Sequence, residues 1–261
     1  MQPNHPSAAT HFARYPSLAG RVAFVSGGGG GIGASIVEHL CAQDARVAFV
    51  DIAEAASREL IERIPVARRP LFIPCDIRDV ESLRAAIAVT IDKLGPITIL
   101  INNAACDDRH PVAETTPAYW DDSMAVNLRH HFFAAQAVQP AMARAGGGSI
   151  VNLSSTSWMM GLGGMPAYVA AKAAIVGLTR GLAREFGVDR IRVNTVLPGW
   201  VMTERQLTKW MTPEGARKID ASQCLKQRLQ PADVARLVLF LAADDSEMCT
   251  SQCFVVDGGW V

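Results

Sequence analysis

The sequence predicts an α/β protein, a single domain built on a doubly wound parallel sheet of about seven strands with helices on both faces. Three observations carry this. Short β-branched runs alternate along the chain with longer segments of helical period, the pattern of a βαβ succession. The run Ile97-Thr98-Ile99-Leu100-Ile101 lacks in/out alternation, as a strand buried on both faces must. Finally, no internal repeat, charge block or long low-complexity linker divides the 261 residues, a length that an open sheet wrapped by helices commonly reaches as one domain.

In chain order the expected strands are Val22 to Ser26, Val47 to Asp51, Leu71 to Cys75, Ile97 to Asn102, Ser149 to Leu153, Ile191 to Val196 and Phe254 to Asp257, with helices filling the gaps. Residues 1–17 read as an N-terminal tail and 18–261 as the domain. The stretch 198–224 interrupts the regular pattern with Pro, Gly, Trp200 and Trp210 just past a strand end, where open α/β sheets place their ligands. It is expected to be a substrate lid.

With 49% hydrophobic and 19% charged residues, and Lys+Arg equal to Asp+Glu at 25 each, the composition is that of a globular protein with a large core. A nucleic-acid binder would carry a basic excess or stripe, which is missing. The first residues hold Pro, Ser, His and Arg without an apolar leader core, and no apolar run approaches the roughly 20 residues needed to span a bilayer. A cytoplasmic protein without membrane or nucleic-acid partners is expected. Six cysteines are scattered without a CxxC or a Cys/His cluster, so they read as reduced packing thiols. Adjacent His130 and His131 lack the three- or four-residue spacing that two ligands on a helix need. No catalytic metal is expected.

The first strand runs straight into Ser26-Gly27-Gly28-Gly29-Gly30-Gly31-Ile32-Gly33, followed by a helical pattern. Inside a helix or strand each glycine would cost up to about 1 kcal/mol. Between strand and helix the run lets backbone approach a pyrophosphate, while the free N–H groups and positive end of the helix favour the anion. Asp51 ends the second strand about 20 residues after Gly31, the placement of an acid that accepts from the adenosine ribose hydroxyls and repels a 2′-phosphate. These features predict a Rossmann-type nucleotide site that prefers NAD. Asp76, ending the third strand, is expected to accept from the adenine amino group.

Tyr168 and Lys172 share a helix face at i, i+4 spacing. A phenol of pKa about 10 becomes a base near neutrality only with about 4 kcal/mol of preference for phenolate. A cation roughly 4.5 Å away at an effective dielectric of about 20 supplies close to that. Lys172 is expected to be that cation and to lower the Tyr168 pKa. Ser155, just past the fifth strand, is placed to steady the reacting oxygen, although Ser154, Thr156 and Ser157 offer the same chemistry.

Gly27-xxx-Gly31-Ile32-Gly33, Asn102-Asn103-Ala104, Asn127, Ser155, Tyr168-xxx-Lys172, Pro198-Gly199 and Asp257-Gly258-Gly259 occur in the order and spacing of the short-chain dehydrogenase/reductase family, which the chain resembles from Leu18 onward. The resemblance implies four catalytic positions. Tyr168 would handle the proton, Ser155 would orient substrate, Lys172 would bind the nicotinamide ribose, and Asn127 would hold a relay water behind Lys172. It further implies cofactor contacts from Gly27, Gly31, Ile32, Gly33, Asp51, Ile52, Asp76, Ile77, Asn103, Ala104, Tyr168 and Lys172, and from Pro198, Gly199, Val201 and Thr203 along the nicotinamide. A homotetramer is also implied. Ser26 stands where Thr is usual, and Ala105 where Gly commonly follows.

Within the family, Asp107-Asp108-Arg109-His110, Asn127-Leu128-Arg129-His130 and Cys224-Leu225-Lys226 resemble sugar dehydrogenases. That implies oxidation of a cyclic aldose at C1 to the lactone. Substrate contacts are expected from Asp108, Arg109, Ser155, Ser157, Trp158, Tyr168 and Trp200, the tryptophans or Trp210 offering faces to sugar C–H groups. Two alternatives remain: a dehydrogenase or reductase of linear polyols, secondary alcohols or keto acids, and a catalytically silent nucleotide sensor.

Overall fold

The computed structural model describes residues 12–261, so most of the expected tail, residues 1–11, lies outside the described residues. The strands are β1 (Val22–Ser26), β2 (Arg46–Asp51), β3 (Leu71–Pro74), β4 (Ile97–Asn102), β5 (Gly148–Leu153), β6 (Ile191–Pro198) and β7 (Cys253–Val256). They form one sheet in the order β3-β2-β1-β4-β5-β6-β7, every neighbouring pair parallel. All seven expected strands are present, and no end moves by more than about two residues, the usual scatter of element boundaries.

Strand pleating divides the core into two layers. Ala23 and Val25 of β1 face one layer with α1 (Gly31–Ala42), α2 (Glu54–Arg63) and α9 (Pro231–Ala242). Val22 and Phe24 face the other with α3 (Val80–Leu94), α5 (His130–Arg144) and α6 (Pro166–Phe186). In β4 the register shifts between Ile97 and Ile99, so Ile97 and Leu100 pack in one layer while Ile99 and Ile101 pack in the other. Arg21 braces that irregularity, donating from Nε to the Thr98 hydroxyl at 3.2 Å and from Nη2 to the Thr98 carbonyl at 3.0 Å.

The strand order reverses direction between β1 and β4, and the loops leaving these two strand ends diverge to opposite faces. The crevice between them is where an open α/β sheet binds ligands. Further along, α4 (Pro117–Met124) passes into α5 through a π-turn at Ala125–Arg129. The expected irregular stretch after β6 instead contains two short helices, α7 (Glu204–Lys209) and α8 (Pro213–Ser222). Thr203 and Thr212 cap them by accepting from the N–H of Gln206 and Gly215. Each helix is too short to display a periodic apolar face, which is why the pattern read as irregular.

Candidate active site

Backbone geometry explains the glycine run. Gly27 and Gly31 have φ of +67° and +54°, conformations open to glycine at little cost. A Cβ on Gly33 would lie 1.8 Å from the Gly27 carbonyl oxygen, so the turn folds tightly against the first turn of α1. The loops after β1 and β4 are joined by side chains. Asn103 Nδ2 donates to the carbonyls of Ser26 and Gly27 at 3.1 and 2.9 Å, and Ser26 Oγ accepts from the N–H of Asn103 and Ala104 at 3.0 and 3.1 Å. Ser26 therefore keeps the bracing hydroxyl that a threonine would supply.

Between these strand ends opens a cleft of about 820 Å³ that reaches from the glycine turn to the residues after β6. At one end Asp51 accepts from Gly29 N–H at 2.8 Å and from Ala53 N–H at 2.9 Å, which fixes its carboxylate beside the turn. Among the described residues no side chain caps the N-terminus of α1, so its donors face the cleft available to an anion. An uncapped helix start, a glycine turn and a strand-end acid together fit a dinucleotide. Every expected cofactor position from Gly27 to Thr203, including the exposed Ile52, lines this cleft. Asp76 lines it too, but its carboxylate is engaged by the Arg78 guanidinium, which also reaches Asp122 at 2.9 Å. This pairing holds the Asp76 carboxyl below the usual carboxylate range.

At the other end Ser155, Tyr168 and Lys172 converge. Ser155 Oγ accepts from Ser157 N–H at 3.1 Å and lies near enough to the Tyr168 phenol to favour its ionised form. Lys172 Nζ donates to the Leu153 carbonyl at 2.8 Å and lies 5.6 Å from the centroid of the Tyr168 ring. The electrostatics differ from expectation. Burial pushes the Tyr168 phenol up to about 12, with the Asp107 charge adding to the rise and Ser155 opposing it. Burial likewise lowers the Lys172 ammonium to about 7, against the pull of Asp107. Lys172 is itself desolvated, and a cation that is costly to keep charged cannot by itself draw a phenol toward neutrality.

Other expected positions are redistributed. Trp158 does not line the cleft: it sits in a 3₁₀ turn, Thr156–Trp158, with its indole N–H buried and without a partner among the described residues. The Asn127 side chain lies in the π-turn, accepting from Cys106 N–H at 2.9 Å and donating to the carbonyls of Cys106 and Ser123, so its amide braces the 103–106 loop. Arg129 donates to the Arg78 carbonyl rather than entering the reactive end. Trp210 carries the Arg109 guanidinium 5.0 Å above its ring and stays outside the lining, whereas Asp108, Arg109, Ser157 and Trp200 line the cleft. His130 and His131 are fully buried with ring centroids 4.3 Å apart, and burial takes His130 down to about 3. As a neutral ring its Nε2 donates to the Ala104 carbonyl at 3.1 Å.

Several lining residues escaped the sequence reading: Arg78, Met160, Leu162, Met165, Arg205, Gln206 and Trp260. Only Arg205 and Gln206 had a signal, their place just beyond Thr203. Their partner Asp107 lies in a distant loop that no spacing rule connects to them.

This fold and site define a nicotinamide-dependent oxidoreductase of the short-chain dehydrogenase/reductase family, and the chain belongs to that family. A family model described as enoyl-(acyl carrier protein) reductase matches residues 27–261. The chain is 47% identical over 249 residues to "Probable galactose dehydrogenase GalD" of Rhizobium meliloti (strain 1021), covering 95% of this chain and 97% of that one. It is also 47% identical over 251 residues to D-xylose 1-dehydrogenase of Caulobacter vibrioides (strain NA1000 / CB15N), covering 95% and 98%. Among solved structures it resembles a blue fluorescent protein from a metagenomic library in complex with NADPH. That match has a TM-score of 0.86 and 33% identity, with 94% of this chain and 99% of that one covered.

Proposed function

We propose that the protein oxidises a cyclic aldose at C1 to the aldonolactone, using NAD, and works as a homotetramer in the cytoplasm. The observation that carries the substrate reading is the polarity of the reactive end. Beside the Ser155–Tyr168 pair, Asp107, Asp108, Arg109, Arg205 and Gln206 line one cleft with the indole of Trp200. A ring with several hydroxyls needs paired polar groups of this kind and an aromatic surface for its C–H groups. Galactose and xylose dehydrogenases at 47% identity support the same class.

When bound, the nicotinamide ring supplies the hydride acceptor and a positive charge. The chain's own residues handle the proton. Ser155 holds the anomeric hydroxyl beside Tyr168, and the Tyr168 oxygen takes its proton. Lys172, kept next to the phenol by its bond to Leu153, stabilises the phenolate whenever it is charged. Asp51 supports NAD over NADP, because a fixed carboxylate at the ribose end opposes a 2′-phosphate. The decisive experiment supplies C1-deuterated aldose and analyses the products. Loss of the label from the sugar with lactone formation is expected. A ketose product, or activity confined to open-chain alcohols, refutes the assignment.

A further inference from the structure

A cluster of ionic hydrogen bonds ties the reactive end to α7. Asp107 Oδ1 accepts from Arg205 Nε at 2.9 Å and its Oδ2 from Gln206 Nε2 at 2.7 Å, so both oxygens are held from the same helix. Arg205 also donates from Nη2 to Asp108 Oδ1 at 2.6 Å, and Lys209 lies 4.0 Å from that oxygen. The two acids are not equivalent. The Asp107 side chain is 16% exposed and that of Asp108 51%, so the first pair is shielded and the second is open to water and salt. An exposed pair is worth little, whereas a shielded carboxylate stripped of its partners is costly.

The position of Asp107 gives the cluster a chemical consequence. Asp107, Arg205, Tyr168 and Lys172 line one cleft. The Asp107 charge bears on both reacting groups, opposing proton loss from the phenol and favouring the ammonium. Tyr168 further faces Arg109, Cys106 and the Ser155 hydroxyl. Lys172 has the imidazoles of His130 and His131 nearby, both kept neutral by burial. Of these surrounding groups, Asp107 is the one that acts on both members of the pair and is itself held by a separate element.

We propose that Asp107 is a positioning residue for the Tyr168–Lys172 pair, and that α7 governs it. Arg205 and Gln206 fix the carboxylate and offset its charge, so the seating of α7 sets how readily Tyr168 gives up its proton. The idea rests on reading Tyr168 and Lys172 as the acid/base pair. It makes the segment after β6 part of the proton chemistry as well as a cover for substrate.

The test is the pH dependence of kcat and of kcat/KM for D-xylose or D-galactose with NAD, from about pH 6 to 10, in Asp107→Asn, Arg205→Gln and the double variant. Asp107→Asn keeps the shape and the acceptor for Arg205 but loses the charge. The rise of kcat with pH is expected to move about one pH unit lower. Arg205→Gln leaves the carboxylate less offset, so the rise moves higher. The double variant follows Asp107→Asn, because no charge remains to offset. Should Asp107→Asn not fold, judged by circular dichroism, the opposite displacement in Arg205→Gln decides. Profiles that superimpose on wild type while KM rises make the cluster a mere latch and overturn the proposal. An active Tyr168→Phe variant overturns the acid/base reading beneath it. An inactive Tyr168→Phe with an unmoved Asp107→Asn profile overturns the role of Asp107 alone.

Discussion

Replacing Lys172 by Met should abolish activity and yet stabilise the fold near neutral pH. The Lys172 side chain is 1% exposed, and among the described residues its ammonium bonds only the Leu153 carbonyl. Burial lowers its pKa from 10.5 to about 7, whereas in the unfolded chain it regains its ordinary value. Between those two pH values the unfolded state binds a proton that the native state lacks, so native stability rises with pH across the window. Below about pH 7 both states are protonated, and the native state carries the whole burden, about 5 kcal/mol for a gap of this size. Methionine removes that burden but leaves the Leu153 carbonyl without its donor, a loss of about 1–3 kcal/mol.

The net expectation is a variant more stable by about 2–4 kcal/mol at pH 6.5, with the advantage gone by about pH 8 to 10. For a chain of this length that corresponds to a midpoint about 4–16 °C higher. Thermal unfolding followed by circular dichroism, without cofactor and at fixed protein concentration, reads it directly. The slope is more diagnostic than the offset. A wild-type-to-variant difference that stays constant from pH 6.5 to 9.5, or a variant less stable than wild type at pH 6.5, would show that burial does not depress Lys172.

Two further outcomes follow from the same site. Tyr168→Phe deletes only the proton-handling oxygen, so kcat should fall by about 10²- to 10⁴-fold while fluorescence titration shows NAD binding nearly unchanged; retention of more than about a tenth of kcat excludes Tyr168 as the acid/base. Asp51→Ala removes the acceptor that holds Gly29 and Ala53, so kcat/KM with NAD should drop and that with NADP should rise, whereas equal values for the two cofactors in the wild type would contradict the proposed role of Asp51.

The cofactor end was legible because its determinants are local. A strand buried on both faces announces itself by continuous apolar character, a glycine run marks a turn, and Asp51 falls where the strand ends, so periodicity alone brings these groups together. The family resemblance singled out Ser155 among its neighbouring hydroxyls, and the same logic of spacing put Tyr168 and Lys172 on one helix face. It did not fix their charges. An i, i+4 ammonium looks like a free cation when written along a helix, but the fold buries it against Leu153, so its charge is disfavoured by burial just as that of the phenolate is. Desolvation is a property of the packed layers and has no signature in spacing.

The substrate end shows the second limit, which is geometric. Trp158 stands three positions beyond Ser155, and helical spacing would put both on one face, yet the chain turns through a 3₁₀ segment and carries the indole away from the cleft. Arg129 shares a motif with Asn127 but bonds Arg78, near the adenosine end. Arg205 and Asp107 meet only because the strand order sets the ends of β4 and β6 on either side of β5, so the loops beyond them close over the same crevice. Loop partners of this kind follow from topology after the sheet is assembled. Family motifs therefore locate the proposed proton-handling pair, while Asp107 and α7, proposed to adjust its charge, are brought together only by the fold.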